Sequence, residues 1–190
     1  MSKSERGQLR IIAGSWRGRK LGFPEREGLR PTTDRVRETV FNWLQMDLPG
    51  SRCLDLFAGS GALGFEAASR GAAKVVMVDN TSETVTVLRS NIELLSASRI
   101  EAVCADAITF LKNCDQQFDV VFIDPPYRMD VIAQCCELLE SKQCLSDRAK
   151  IYIECDASKD LTGLPDNWQC LKRKTAGQAG YHLFTREMDS

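Results

Sequence analysis

The stretch Cys53-Leu54-Asp55-Leu56-Phe57-Ala58-Gly59-Ser60-Gly61-Ala62-Leu63-Gly64 decides the fold. It reads as a short apolar strand that runs into a glycine-rich turn and opens directly onto a helix. Gly59 and Gly61 let the backbone approach a ligand closely, and Gly64 lets the helix pack tightly on the strand.

Working outward, short apolar runs alternate with helical stretches, the pattern of a parallel sheet with crossover helices. The expected strands are Arg52–Phe57, Lys74–Asp79, Ile100–Cys104, Phe118–Asp124, Lys150–Cys155, Cys170–Thr175 and Tyr181–Arg186. Helices are expected over Ala62–Arg70, Ser82–Leu95, Ala107–Asn113 and Met129–Ser141. Ala176-Gly177-Gln178-Ala179-Gly180 is too short for a helical crossover, so the last two strands pair antiparallel. The fold class is α/β: Rossmann-like, with a mostly parallel seven-stranded sheet that ends in a hairpin. Before it, Leu9–Ala13 and Arg19–Phe23 form a small hairpin joined through Gly14-Ser15-Trp16-Arg17-Gly18. Pro31-Thr32-Thr33-Asp34 then starts a helix whose apolar stripe is Val36, Val40 and Leu44, backed by Phe41. Residues 1–30 are read as a basic arm with its hairpin, and residues 31–190 as the main domain with its leading helix.

Composition agrees with one domain: 190 residues, 43% hydrophobic and 27% charged, suit a single sizeable core. No apolar run approaches the roughly 18 residues that span a bilayer, and Met1-Ser2-Lys3-Ser4-Glu5-Arg6 lacks the apolar stretch of a signal peptide, so a cytoplasmic protein is expected. The eight cysteines contain no CxxC pair and His182 is the only histidine, which removes zinc-finger and thioredoxin chemistry. Most of these thiols sit in apolar segments and are expected to be buried. The net charge is -1, yet residues 1–40 carry ten Lys/Arg against five Asp/Glu, and residues 171–190 carry four against two. An acidic middle with basic ends suits a cationic small ligand held in the core and a polyanion met by the ends.

Asp79 follows twenty residues after Gly59, so taken alone the turn fits a dinucleotide as well. Asp55 tilts the choice. A pyrophosphate is anionic and favours a bare helix N-terminus, whereas a carboxylate beside the turn suits a ligand carrying an ammonium and a sulfonium. S-adenosylmethionine fits that description. Asp79, ending its strand, can accept both ribose hydroxyls, and Asp106 can accept from the adenine amine. Asp79 serves equally to begin a turn, and Asp106 to cap the helix at Ala107.

The fourth strand ends in Asp124-Pro125-Pro126-Tyr127. The prolines fix φ and remove two donors, leaving a rigid turn that offers carbonyl oxygens and the Asp124 carboxylate as acceptors. An exocyclic amine is a poor nucleophile because its lone pair is delocalised into the ring. Acceptors on both its hydrogens favour the pyramidal nitrogen and stabilise the positive charge that develops during attack on a methyl group. Tyr127 can stack on a flipped base.

Asp55-Leu-Phe-Ala-Gly-Ser-Gly61, Asp79, Asp106 and Asp124-Pro-Pro-Tyr127 together resemble class I S-adenosylmethionine-dependent amino methyltransferases. The flanks Arg10–Leu21, Arg30–Leu44 and Ala176–Phe184 look like the RsmD-type enzymes, which methylate the N2 amine of one guanine in bacterial 16S ribosomal RNA. The resemblance implies a metal-free methyl transfer, a 16S rRNA partner within the small ribosomal subunit or an assembly intermediate, no membrane association, and a monomer. It further implies that Asp124, Pro125, Pro126 and Tyr127 form the catalytic turn. Asp55, Phe57, Gly59, Gly61, Asp79 and Asp106 would hold the cofactor, with Thr32 and Arg35 bordering it. Arg17, Arg19, Lys20 and Arg30 would meet the RNA. Arg37 and Glu38 read equally as further residues at the pocket border or as a surface ion pair or solvated helix face, and His182 as a packing residue. A DNA adenine methyltransferase, an NAD oxidoreductase and a noncatalytic nucleic-acid module are the alternatives. The first needs a separate recognition region, the second leaves Asp124–Tyr127 unexplained, and the third has no need of a cofactor pocket.

Overall fold

In the computed structural model, residues 6–24, 33–126, 129–158 and 160–187 are described. The elements in chain order are β1 (Arg6–Arg10), β2 (Lys20–Pro24), α1 (Asp34–Trp43), β3 (Arg52–Asp55), α2 (Ala62–Ser69), β4 (Lys74–Asp79) and α3 (Ser82–Leu94). Then come β5 (Ile100–Cys104), α4 (Ala107–Lys112), β6 (Phe118–Ile123), α5 (Ile132–Ser141), β7 (Leu145–Asp156), β8 (Trp168–Ala176) and β9 (Ala179–Arg186). β1 and β2 form a two-stranded antiparallel ribbon, and the other seven strands form one sheet in the order β5-β4-β3-β6-β7-β9-β8. β3 to β7 pair in parallel and β9 runs antiparallel to both β7 and β8. The chain builds outward from β3 through β4 to β5, then crosses back to lay β6 on the other side of β3. That reversal leaves a crevice at the carboxyl ends of β3 and β6, the place where such sheets take ligands.

The central strands are apolar on both faces, as a parallel sheet covered by helices requires. Cys53, Val75, Met77, Val120 and Phe122 point into the core under α1, α2, α3 and the ribbon. Leu54, Val76, Val78, Val121 and Ile123 alternate with them into the core under α4 and α5. The predicted stripe of α1 packs here, with Phe41 against Phe122 at 5.8 Å between ring centroids and Trp43 against Tyr181 at 5.7 Å. Thr33 caps this helix, its Oγ1 accepting the Val36 N–H.

The structure moves some boundaries. β7 starts at Leu145, five residues before the expected Lys150 and ahead of the register shift in its pairing with β6. α5 begins at Ile132 rather than Met129, with Val131 as its N-terminal cap; the Met129 N–H goes to the Pro126 carbonyl at 2.8 Å. The first ribbon strand is Arg6–Arg10, not Leu9–Ala13, since Ile12 and Ala13 donate their N–H groups to Glu66 instead. Two of the thiols expected in the core, Cys104 and Cys170, are exposed; Cys53, Cys135, Cys136, Cys144 and Cys155 are buried.

Arg37 is neither a surface ion pair nor part of a solvated face. It is only 2% exposed, and its guanidinium reaches the Arg10 carbonyl, Asp34 and, at 3.9 Å, Glu66. Glu38 alone lies on the solvated face. Glu66, fully buried in α2, takes the N–H groups of Ile12 (2.8 Å) and Ala13 (3.0 Å) and the Arg70 guanidinium (2.7 Å). This one carboxylate therefore joins the arm to α2, with the Arg37 of α1 beside it. Gly14 completes the joint: at φ +81°, a Cβ on it would lie 1.9 Å from the Ser69 carbonyl.

Candidate active site

The glycine turn starts while still gripped by the sheet. Leu56 donates its N–H to the Phe122 carbonyl at 3.1 Å and Ala58 to Val78 at 2.9 Å, so the chain leaves β3 between β4 and β6. Gly61 then sits at φ +79° as the N-terminal cap of α2, where a Cβ would meet the Phe65 ring at 2.5 Å. A side chain is excluded there by backbone handedness and by packing alike. A Cβ on Gly64 would lie 2.5 Å from the Met77 sulfur, so this glycine sets how closely α2 approaches β4.

Asp55 ends β3 beneath the turn and is 1% exposed. Its Oδ2 accepts the Gly64 N–H at 3.1 Å, and its Oδ1 is buried without a hydrogen bond among the described residues. Burial pushes this carboxyl up to about 7, against the opposing pull of the Gly64 N–H and of the nearby Phe57 N–H, which lies outside hydrogen-bond geometry. A buried acid with one orphaned oxygen needs a cation or a proton. The positive charge of S-adenosylmethionine meets that need, so the residues present fit this cofactor.

Asp79, half-buried at the end of β4, accepts Gly59 N–H through Oδ2 at 3.0 Å and Thr81 N–H through Oδ1 at 2.9 Å. Each carboxylate oxygen has a second lone pair to offer a ligand hydroxyl. Phe57 and Gly59 are half-buried along the turn. Asp106 is exposed and caps α4, its Oδ1 accepting Thr109 N–H at 3.0 Å, which is the plainer of its two expected roles. Arg35 stands on the exposed first turn of α1.

Asp124, Pro125 and Pro126 follow β6 directly, with Pro125 buried and Pro126 exposed. The Pro126 carbonyl accepts the Met129 N–H at 2.8 Å. The Asp124 charge acts on the buried Tyr152, whose hydroxyl donates to Glu154 at 2.9 Å. Burial first, then Glu154 and Asp124, raise this phenol well above its ordinary value. Tyr152 and Glu154 were not singled out from sequence; their signal is two polar groups in the apolar strand Ile151–Cys155. Tyr127, Thr32 and Arg30 lie outside the described residues.

Arg17, Arg19 and Lys20 are exposed but stand apart from this crevice. Their loop is fastened to the far end of the helices: Ser15 N–H to Ser69 at the end of α2, and Arg19 to the Leu94 carbonyl at the end of α3. Trp16 packs on the core there, with Arg99 stacked over it at 5.1 Å. These contacts are at the amino ends of the strands, opposite Asp124. His182 is half-buried beside Phe184; burial, then Arg173, lower its pKa, in keeping with a packing role.

The strand order, the glycine turn over a buried acid and the Asp-Pro-Pro turn one strand away define a class I S-adenosylmethionine-dependent methyltransferase. The chain belongs to the family described as Conserved hypothetical protein 95, whose model matches residues 9–185. It is 45% identical to Ribosomal RNA small subunit methyltransferase D of Escherichia coli K12 over 181 residues, which cover 95% of this chain and 91% of that protein. It is also 45% identical to the protein of the same name from Haemophilus influenzae, covering 94% of each. The solved structure of yhhF from Escherichia coli superposes with a TM-score of 0.88 at 44% identity, over 96% of this chain and 100% of that one. Among the described residues no helix is long and apolar enough to cross a membrane, and no group of three His, Cys, Asp or Glu side chains could hold a metal.

Proposed function

We propose that this methyltransferase modifies the exocyclic N2 amine of a guanine in small-subunit ribosomal RNA, in the cytoplasm and without a metal. The observation that carries the reading is a register: Asp55 of β3 pairs with Phe122 of β6, two residues before Asp124. The cofactor turn and the amine-binding turn thus leave adjacent strands at the same end of the sheet. The names of the relatives support ribosomal RNA as the substrate class.

Bound S-adenosylmethionine supplies an electrophilic methyl group on a sulfonium sulfur. Asp55, Phe57, Gly59, Gly61, Asp79 and Asp106 hold it, with Thr32 and Arg35 at the border. The Asp124 carboxylate and the Pro125 carbonyl accept the two amine hydrogens, which turns the nitrogen lone pair out of the ring and toward the methyl carbon. As the N–C bond forms and the C–S bond breaks, the Asp124 carboxylate faces the positive charge growing on nitrogen, until the surplus proton leaves to water. Pro126 stiffens the turn and the Tyr127 ring stacks on the extruded base.

The test is to incubate the protein with labelled cofactor and small ribosomal subunits lacking the modification, then map the labelled nucleotide. Label on the N2 amine of one guanine is expected. Label on an adenine amine, or none on RNA, overturns the reading. Running naked RNA and assembly intermediates alongside identifies the form of substrate used.

A further inference from the structure

The second basic segment of the chain forms β8, the edge strand. From Gln169 to Ala176 every residue is exposed, and the run holds no acid. Lys172, Arg173 and Lys174 are consecutive, and among the described residues none of them makes an ion pair.

Register fixes where these cations stand. Lys174 pairs with Tyr181 on β9, and Tyr181 with Glu154 on β7. Glu154 and Asp124 lie one residue beyond the pair Ile153 and Ile123. A single row therefore crosses the sheet as Asp124, Glu154, Tyr181 and Lys174. The row below it is Phe122, Tyr152, Leu183 and Lys172. Paired residues share a face, and Phe122, Tyr152, Tyr181 and Leu183 all belong to the core under α1 to α3. Lys172 and Lys174 hence point to the side of the sheet on which Asp124 acts on Tyr152, while Arg173 points to the other with His182. With strands about 4.8 Å apart, Lys174 is about 14 Å from Asp124 along the row, a gap that a few nucleotides span.

We infer that Lys172 and Lys174 of β8 hold backbone phosphates of the RNA next to the target guanine. The inference rests on the proposed function and adds the surface that positions the substrate. Lysines on an edge strand also guard against pairing with another chain. Here the register shift between Cys170 and Lys172 already disrupts the edge, and guarding does not require the charges to be level with Asp124. The arm cations Arg17 and Arg19 are fastened at the opposite end of the strands, whereas Lys174 of β8 stands level with Asp124.

The experiment compares Lys172→Ala/Lys174→Ala with Arg173→Ala, Arg17→Ala/Arg19→Ala/Lys20→Ala and wild type. Binding to unmethylated small-subunit RNA is measured across a salt series, alongside kcat/KM for methylation, cofactor affinity and circular dichroism. Each phosphate contact removed lowers the slope of log affinity against log salt by about 0.7 to 0.9, so the double variant should lose about 1.5. A fourfold rise in salt should then weaken wild type about eightfold more than this variant. Cofactor affinity and the dichroism spectrum should not change, and Arg173→Ala and the arm variant should each lose less than the double variant. A double variant with the wild-type slope and kcat/KM overturns the inference while wild-type activity keeps the functional reading intact. A smaller loss than that of the arm variant overturns it too. Wild-type protein that neither binds nor methylates the RNA overturns both.

Discussion

The carboxylate of Asp79 accepts the backbone N–H of Gly59 at 3.0 Å, bridging the end of β4 to the glycine turn that follows β3. The residue proposed to bind the ribose thereby also sets the shape of the turn that the cofactor lies against. Shape and contact are coupled through one side chain.

Asp79→Asn is expected to weaken S-adenosylmethionine binding roughly ten- to hundredfold, the worth of a hydrogen bond to a charged group. Calorimetry checks this. Unchanged affinity would assign Asp79 to the turn alone.

Asp124→Ala should bind cofactor normally and transfer methyl roughly 10²–10³ times more slowly, because the lost acceptor acts on charge that develops only during transfer. Single-turnover methylation with saturating cofactor reads the chemical step directly. A near-normal rate removes Asp124 from the proposed role.

Asp55 makes cofactor binding depend on pH. Burial raises its folded-state carboxyl to about 7, above the ordinary carboxylate range of the unfolded chain. Its contribution to stability is therefore fully present below that ordinary range and is lost as pH rises through about 7. A cationic ligand favours the ionised acid, so affinity should climb with pH and level off above about 7. Calorimetry in buffers of different ionisation enthalpy should show proton release on binding below that point. In Asp55→Asn both the release and the stability slope should vanish. Affinity that falls as pH rises through neutrality would contradict the arrangement.

Glu66→Ala leaves the N–H groups of Ile12 and Ala13 without their acceptor, takes the carboxylate from Arg70, and leaves the buried Arg37 guanidinium with Asp34 and the Arg10 carbonyl alone. Removing one partner of a buried charge network costs about 3–5 kcal/mol, to be read as a lower urea midpoint. Glu66→Gln keeps an acceptor oxygen and should lose less. If Ala costs no more than Gln, the arm is held by its apolar side chains rather than by this carboxylate.

Several parts of this protein are decided by short-range chemistry, and those parts are legible in the sequence. An apolar strand entering Gly59–Gly64 permits one local geometry, because Gly61 takes a left-handed backbone and Gly64 admits no side chain beside Met77. Asp-Pro-Pro after the apolar Val120–Ile123 marks a strand end for the same reason: the prolines cannot extend the ladder. The roles of Glu66 and Arg37 are different. Glu66 is the single charge between Ala62 and Ser69, which signals a buried partner, yet Ile12 and Ala13 lie more than fifty residues away in sequence. No local pattern names such a partner; only packing does. The basic ends make the same point. Composition locates charge along the chain, whereas strand order and register decide that Lys174 stands level with Asp124 and that Arg17 stands at the other end of the sheet. Periodicity tells a residue which face to take, and the long-range pairing of strands tells it what shares that face.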